Sequence, residues 1–230
     1  MAPLISCVVP LFNGERFIAE ALDSILAQTY RPIELIVADD GSTDGSGAIL
    51  AGYGDRIRVV SQESAGPSAA RNLGLRAARG EFVAFLDADD LWAPQKLARQ
   101  MDCFAARPEL QACVTHVQMM WSHGMREEAE QYRDHPRAAP IPGYATITLL
   151  ARRSVFDAVG EFDPSLWFSD STDWFLRARE LGVALELVPE VLVFHRMHEN
   201  NHTRRRSAAS REEFARTVKA SLDRRRQRMP

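Results

Sequence analysis

Residues 81–94 read "EFVAFLDADDLWAP": five apolar residues, Phe82 to Leu86, run directly into Asp87, Asp89 and Asp90. An apolar run of this length predicts a buried strand. Three carboxylates so close raise one another's pKa, so the cluster is costly without a positive partner. If extension continues past the strand, Asp87 and Asp89 fall on the same side. That suits a hard divalent cation shared with a phosphate-bearing ligand, because Mg²⁺ or Mn²⁺ takes one or two carboxylates and fills its other sites with phosphate oxygens and water.

Outward from this stretch the first hundred residues alternate β-branched runs with amphipathic ones. "LISCVVP", "IELIVAD", "IRVVSQ" and "EFVAFLD" read as strands, and "GERFIAEALDSILAQ", "TDGSGAILAGY" and "GPSAARNLGLRAAR" as helices between them. The order predicts an α/β fold with a mostly parallel, Rossmann-like sheet flanked by helices. Ligands in such sheets bind beyond the carboxyl ends of the strands. Asp39 and Asp40 in "ELIVADDGSTDGS" end a second strand there. An EF-hand starting at Asp40 fails because Ala51 stands where a bidentate Glu is needed. A dinucleotide fingerprint fails at Leu50, and no phosphate-binding P-loop motif occurs.

Beyond about residue 108 the texture changes. "QACVTHVQMMW", "ATITLLA" and "LELVPEVLVF" read as strands, and "STDWFLRARELG" as a helix capped by Ser171 or Thr172 and stopped at Gly182. "SHGMREEAEQYRDHPRAAPIPG" shows no period and reads as a long loop or irregular insert, a kind of segment that is usually functional or disordered. The expected organisation is one domain over 1–203, divided near 107, followed by a basic tail or helix over 204–230.

Composition separates that tail from the rest. The 230 residues carry a formal charge of −3, yet from Arg204 onward ten Arg or Lys face three Asp or Glu, a surplus of +7 that leaves the remainder at −10. Such a run attracts anionic membranes or nucleic acid, but no nucleic-acid module is visible, so only peripheral membrane contact is carried forward. No apolar run reaches the roughly 18 residues of a membrane span and the first residues lack a secretory pattern, so the chain reads as cytoplasmic. Cys7, Cys103 and Cys113 are odd in number and widely spaced, which suits small buried hydrophobes.

"VVPLFNGERFIAEALDSILAQTYRPIELIVADDGSTDGS" followed by "GPSAARNLGLRAARGEFVAFLDADD" strongly resembles the inverting glycosyltransferase family 2, with its GT-A fold. The likeness is close over about residues 4–107 and looser to about 203. It implies that Pro10, Phe12 and Glu15 line the nucleotide base and ribose, that Asp40 bonds the uracil edge, and that Gly66 and Arg71 lie near the nucleotide. Asp87 and Asp89 match the D-x-D element, with Asp87 on the donor and Asp89 on Mn²⁺ or Mg²⁺. In "VFHRMHENNHTR", Arg196 is then a phosphate contact and His198 a further metal ligand, while His195 and His202 read as solvated.

The implied reaction moves a sugar from a nucleotide-diphosphate donor, with UDP as the expected carrier, to an acceptor hydroxyl in one inverting displacement. The metal stabilises the departing diphosphate, and a carboxylate must take the acceptor proton. Relatives usually carry Glu-Asp before the helix, where this chain has Asp170-Ser171, with Asp173 two positions on. Asp173 is the favoured base and Asp170 the fallback. Ser171 leaves open a non-catalytic nucleotide-sugar-binding protein of the same fold. A phosphohydrolase using Asp87 and Asp89 is weaker, because Leu91 stands where Thr is expected. Trp92 and Trp167 flank the acidic motifs as sugar platforms or as core. The acceptor, whether glycan, lipid-linked glycan or peptide, is not identified.

Overall fold

The computed structural model describes residues 2–133, 135, 138–201 and 207–227. In the first half, β1 (Ile5–Leu11), β2 (Ile33–Asp39), β3 (Arg58–Ser61) and β4 (Phe82–Phe85) alternate with α1 (Ile18–Leu26), α2 (Ser46–Ala51) and α3 (Pro67–Ala77). All strand pairings there are parallel, in the order β3-β2-β1-β4. Parallel strands covered on both faces need apolar residues at every position. Residues Ile5 to Val9 of β1 are all buried, and the one hydroxyl among them, Ser6 Oγ, donates to Glu34 Oε1 on β2. Ile5, Cys7 and Val9 pack with the inner face of α1, whereas Val8 faces the opposite core with Leu75 of α3. Gly74 lets α3 sit close on β1, since a Cβ there would stand 2.2 Å from Val8 Cγ1.

The second half continues the same sheet with mixed direction. After β5 (Leu91–Trp92) and α4 (Lys96–Ala106) come β6 (Ala112–Trp121), α5 (Arg126–Gln131), β7 (Ile141–Pro142), β8 (Leu150–Arg152), α6 (Arg153–Val159), α7 (Asp170–Glu180), β9 (Leu185–Met197) and α8 (Ser207–Gln227). The path runs on as β4-β8-β6-β9-β5, with β7 on β6. The long β6 and β9 are parallel, while β4–β8, β8–β6, β9–β5 and β6–β7 are antiparallel.

Several expectations need correction here. "ATITLLA" is a 3₁₀ turn at Thr146–Thr148 followed by the short β8, because Thr148 Oγ1 donates back to the Gly143 and Ala145 carbonyls and closes the chain into a turn. The described residues of the aperiodic insert hold a 3₁₀ turn, α5 and β7. Neither Ser171 nor Thr172 caps α7; the helix starts at Asp170, and its N-cap residue Ser169 makes no side-chain capping bond. Trp92 is core: it is buried, its indole N–H donates to the Ile147 carbonyl, and Lys96 Nζ lies 4.1 Å from its ring. Of the two expectations for the C-terminal segment, the described residues form a helix, α8, which packs along α7. Arg204–Arg206 and His202 lie outside the described residues.

Candidate active site

The carboxyl ends of β1, β2 and β4 open into a cavity of about 820 Å³ whose far wall comes from β6, β7 and the start of α7. That volume is in the range of a small-molecule site. Pro10 and the half-exposed Phe12 line it at the end of β1. Glu15 does not line it: its Oε2 accepts the Gly45 N–H, which ties the β1–α1 loop to the start of α2. Asp40 is buried and accepts from Gln62 Nε2, Ser64 Oγ, Ala65 N and Gly66 N at 2.6–3.2 Å. A carboxylate offers about four lone-pair sites. Asp40 has therefore spent its capacity on the 62–66 loop, and a direct bond to a base edge requires that loop to yield.

Asp87, Asp89 and Asp90 turn out to have three separate jobs. Asp90 is fully buried, takes His195 Nδ1 at 3.0 Å and accepts the Arg196 N–H at 2.9 Å. It pushes the His195 imidazole up to about 9, while its own burial works against the carboxylate. His195, expected as a solvated loop residue, instead stands on β9 at the cavity wall, bonded to the buried Asp90. Asp89 Oδ2 accepts from His198 Nε2 at 2.9 Å. Burial opposes its charge, but the His198 hydrogen bond and the two histidines hold it below the usual carboxylate range. Arg196 does not line the cavity; its guanidinium stacks 4.8 Å over Phe17 and donates to Glu20 and to the Asp89 carbonyl, so it braces the acidic loop from behind.

Arg71 supplies the positive partner that Asp87 requires. Its Nη2 donates to Asp87 Oδ1 at 2.6 Å and its Nη1 to Asp170 Oδ2 at 2.5 Å, 99 residues further along. Burial opposes the guanidinium's charge, yet the two carboxylates together raise its pKa. Asp170 and Ser171 line the cavity, whereas Asp173 does not. Asp173 points its carboxylate at Arg177 Nε, 2.7 Å away, and lies 3.6 Å from Arg224. One helical turn separates the two acids, and only the first looks into the site. Trp167, partly exposed at 42%, completes the wall, its ring against Gly66.

The model of the family described as "Glycosyl transferase family 2" matches residues 6–160. The chain belongs to this family. It is 32% identical over 213 residues to an uncharacterized glycosyltransferase of Rickettsia typhi, covering 88% of this chain and 66% of that protein. A Nostoc glycosyltransferase is 29% identical over 225 residues, covering 91% and 70%. The chain thus spans about two thirds of the length of these relatives. Staphylococcus aureus TarS 1–349 solved with UDP superposes with a TM-score of 0.67 at 22% identity, over 84% of this chain and 60% of that one. A Pyrobaculum calidifontis mannosyltransferase solved with GDP-Man and Mn²⁺ gives 0.68 at 21%, over 100% and 66%. The fold is GT-A.

A family 2 glycosyltransferase of this fold raises the question of a divalent ion. Among the described residues no group of three or more His, Cys, Asp or Glu gathers to hold one. A hard ion bound with a diphosphate needs only one or two carboxylates, and cavity-lining Asp89 meets that demand. His198 fits less directly. The Asn200 N–H donates to its Nδ1 at 3.2 Å, which puts the ring proton on Nε2, facing Asp89. Ligation by Nε2 needs that proton to leave and the Asn200 contact to break. As it stands His198 orients Asp89, with Asn201 adding a longer bond at 3.4 Å. The sequence pattern did not reveal His195, Thr146 or Met119 as wall residues; each reaches the site only through the pairing of β6 with β9 and the 146–148 turn.

Proposed function

We propose that this chain transfers a sugar from a UDP-linked donor to an acceptor hydroxyl by one inverting displacement, with Asp170 as general base. The Asp87–Arg71–Asp170 bridge carries this reading, because it sets a carboxylate from the helix side of the cavity against the acidic loop on the strand side. Pro10, Phe12 and Gly66 border the nucleotide, and Asp87 and Arg71 border the diphosphate. Asp89 holds Mn²⁺ or Mg²⁺, with His198 orienting it. When bound, that ion stabilises negative charge on the departing diphosphate.

The remaining steps belong to the chain's own residues. Arg71 orients Asp170 through Oδ2, and Oδ1 takes no hydrogen bond among the described residues. As the acceptor oxygen bonds to the anomeric carbon, its proton passes to Asp170. The bond from that carbon to the diphosphate oxygen breaks, and the electron pair leaves with the nucleotide. Its lining position makes Asp170 a better candidate than Asp173, and it removes the motive for a non-catalytic reading based on Ser171. Saturating UDP with Mn²⁺ should raise the melting temperature, as any ligand selective for the folded state does. A donor panel read by mass spectrometry should show transfer from a UDP-sugar; no thermal shift and no donor consumption sink the proposal.

The outer face of α8 supports peripheral contact with an anionic membrane. Phe214 and Leu222 are exposed at 52% and 47% among exposed Arg211, Lys219, Arg225 and Arg226. No helix among the described residues is long and apolar enough to cross a membrane. Vesicles containing phosphatidylglycerol should sediment the wild type and not a variant with Arg225 and Arg226 changed to Ser; equal sedimentation removes the idea.

A further inference from the structure

The segment between the end of α6 and α7 delivers Trp167, Phe168, Asp170 and Ser171 to the cavity wall. Its backbone is held from two sides. Ser68 Oγ, at the start of α3, donates to the Leu166 carbonyl at 2.7 Å. From the other side a single side chain of α8, the buried Glu213, accepts three successive backbone N–H groups. Its Oε1 takes Phe168 N and Ser169 N at 2.7 Å each, and both of its oxygens stand 3.2 Å from Trp167 N.

A helix start leaves N–H groups without partners and favours negative charge, and Ser169 supplies no side-chain cap. Glu213 accepts the N-cap amide, Ser169 N, with the two amides before it, and brings its carboxylate to this helix start from a helix more than forty residues away in sequence. The arrangement repeats at the other end of α7, where Glu180 accepts from Ser221 Oγ at 2.6 Å and Arg224 Nε at 2.9 Å. So α8 grips α7 at both ends. The first grip lies immediately before the residue that meets Arg71.

We infer that Glu213 is a positioning residue for the acceptor side of the site: its carboxylate fixes the 167–169 backbone and, through it, Asp170 and the Trp167 ring. The inference rests on the glycosyl-transfer reading only for its catalytic consequence. α8 is then part of the catalytic half, and its inner face serves the site while its basic outer face stays free for other contacts.

Two variants of the full chain test this, Glu213→Ala and the milder Glu213→Gln, whose amide oxygen still accepts N–H bonds. Hydrogen exchange read by mass spectrometry should show the 166–171 peptide exchanging about tenfold faster in E213A, with E213Q between it and the wild type. UDP affinity with Mn²⁺ should stay within about twofold, since its contacts lie on the strand side, while kcat for transfer falls by up to about 100-fold, the cost of a displaced catalytic group. Unchanged exchange in both variants overturns the inference, and so does a parallel loss of UDP affinity and kcat, which is the mark of general damage. If the wild type transfers no sugar, the functional reading fails while the exchange result still decides what Glu213 holds.

Discussion

On the strand side, Pro10, Asp40 and Asp87 reach the cavity at or just beyond the ends of three adjacent parallel strands, which the sheet register brings together, and Arg71 and the 62–66 loop then bond Asp87 and Asp40. On the opposite wall, Asp170, His195 and Trp167 arrive on a helix, a bulged strand and a loop, and each is tied by a side-chain bond to a distant segment. Arg71 holds Asp170 across 99 residues, Asp90 holds His195 across 105, and Glu213 holds the Trp167 amide across 46. The strand side is gathered first by sheet register, the helix side by long-range side-chain bonds, and the Arg71 bridge is shared by both. Substitutions of polar residues should therefore be far more damaging on the second side than their neighbours' chemistry suggests.

The sharpest break of this comparison lies within α7. Asp170→Asn should lower transfer by about 10²–10⁴-fold, the usual cost of losing a general base, with UDP affinity retained. Asp173→Asn should leave kcat within about threefold, while its stability falls toward the loss of about 3–5 kcal/mol of a buried pair broken from one side, because the buried Asp173 faces Arg177 and Arg224. Steady-state kinetics beside urea unfolding decides it. Equal losses in both variants would mean that Asp170 has no special place.

Next in size is the bridge itself. Arg71→Met leaves Asp87 and Asp170 facing each other without a cation, and breaking a buried pair from one side costs about 3–5 kcal/mol. Arg71→Lys keeps the charge but not the two-pronged geometry, so it should recover stability in part and transfer little. Urea unfolding of both variants checks the order. A harmless R71M would show the two sides to be independent.

These contrasts explain what was legible in the sequence. The strands of the first half were readable because β1, β2 and β4 carry buried, mostly apolar runs, the edge strand β3 keeps a β-branched Val59-Val60 pair, and Asp follows the ends of β2 and β4. The acidic loop was legible as a cluster but not as three roles, since only the fold shows Asp90 turned into the core and Asp89 turned to His198. Asp173 looked the better base because spacing along a helix says nothing of which turn faces a cavity. His195 and Glu213 were unreadable for the same reason: their partners are more than forty residues away, and no local pattern records them. Glu15 and Arg196 were misplaced because backbone and carboxylate partners inside the protein compete for them before any ligand does.

A further buried polar group lies on α4, away from the cavity. Lys96 is completely buried, donates to Gln100 Oε1 at 2.8 Å, and is lowered by burial to about 7. Gln100 in turn donates to the Cys113 and Thr148 carbonyls. Between about 7 and the ordinary lysine value of 10.5 the unfolded chain holds a proton that the native state lacks, so this group makes stability rise with pH through that window. Below about 7 its cost is present in full. Lys96→Met should therefore gain on the wild type most near pH 6 and lose most of that advantage toward pH 10, a swing of roughly 4 kcal/mol. Urea unfolding at pH 6, 8 and 10 measures it, and a pH-independent difference would show Lys96 to be charged throughout.

The smallest expected effect probes where the two sides touch directly. Gly66 has φ of +95°, and a Cβ there would stand 3.2 Å from Trp167 Cζ2. Gly66→Ala therefore meets two separate costs, a backbone conformation unfavourable to L-residues and a ring that must shift. Together these should lower stability by about 2 kcal/mol, of which about 1 belongs to the backbone alone. Trp167→Leu removes the ring and leaves the backbone cost in place. In a double-mutant cycle G66A should therefore cost about 1 kcal/mol less when Trp167 is already Leu, a coupling well above the scatter between independent sites. Equal costs in both backgrounds would mean that the indole swings aside freely and that the donor-side loop and the Trp167 wall meet without constraining each other.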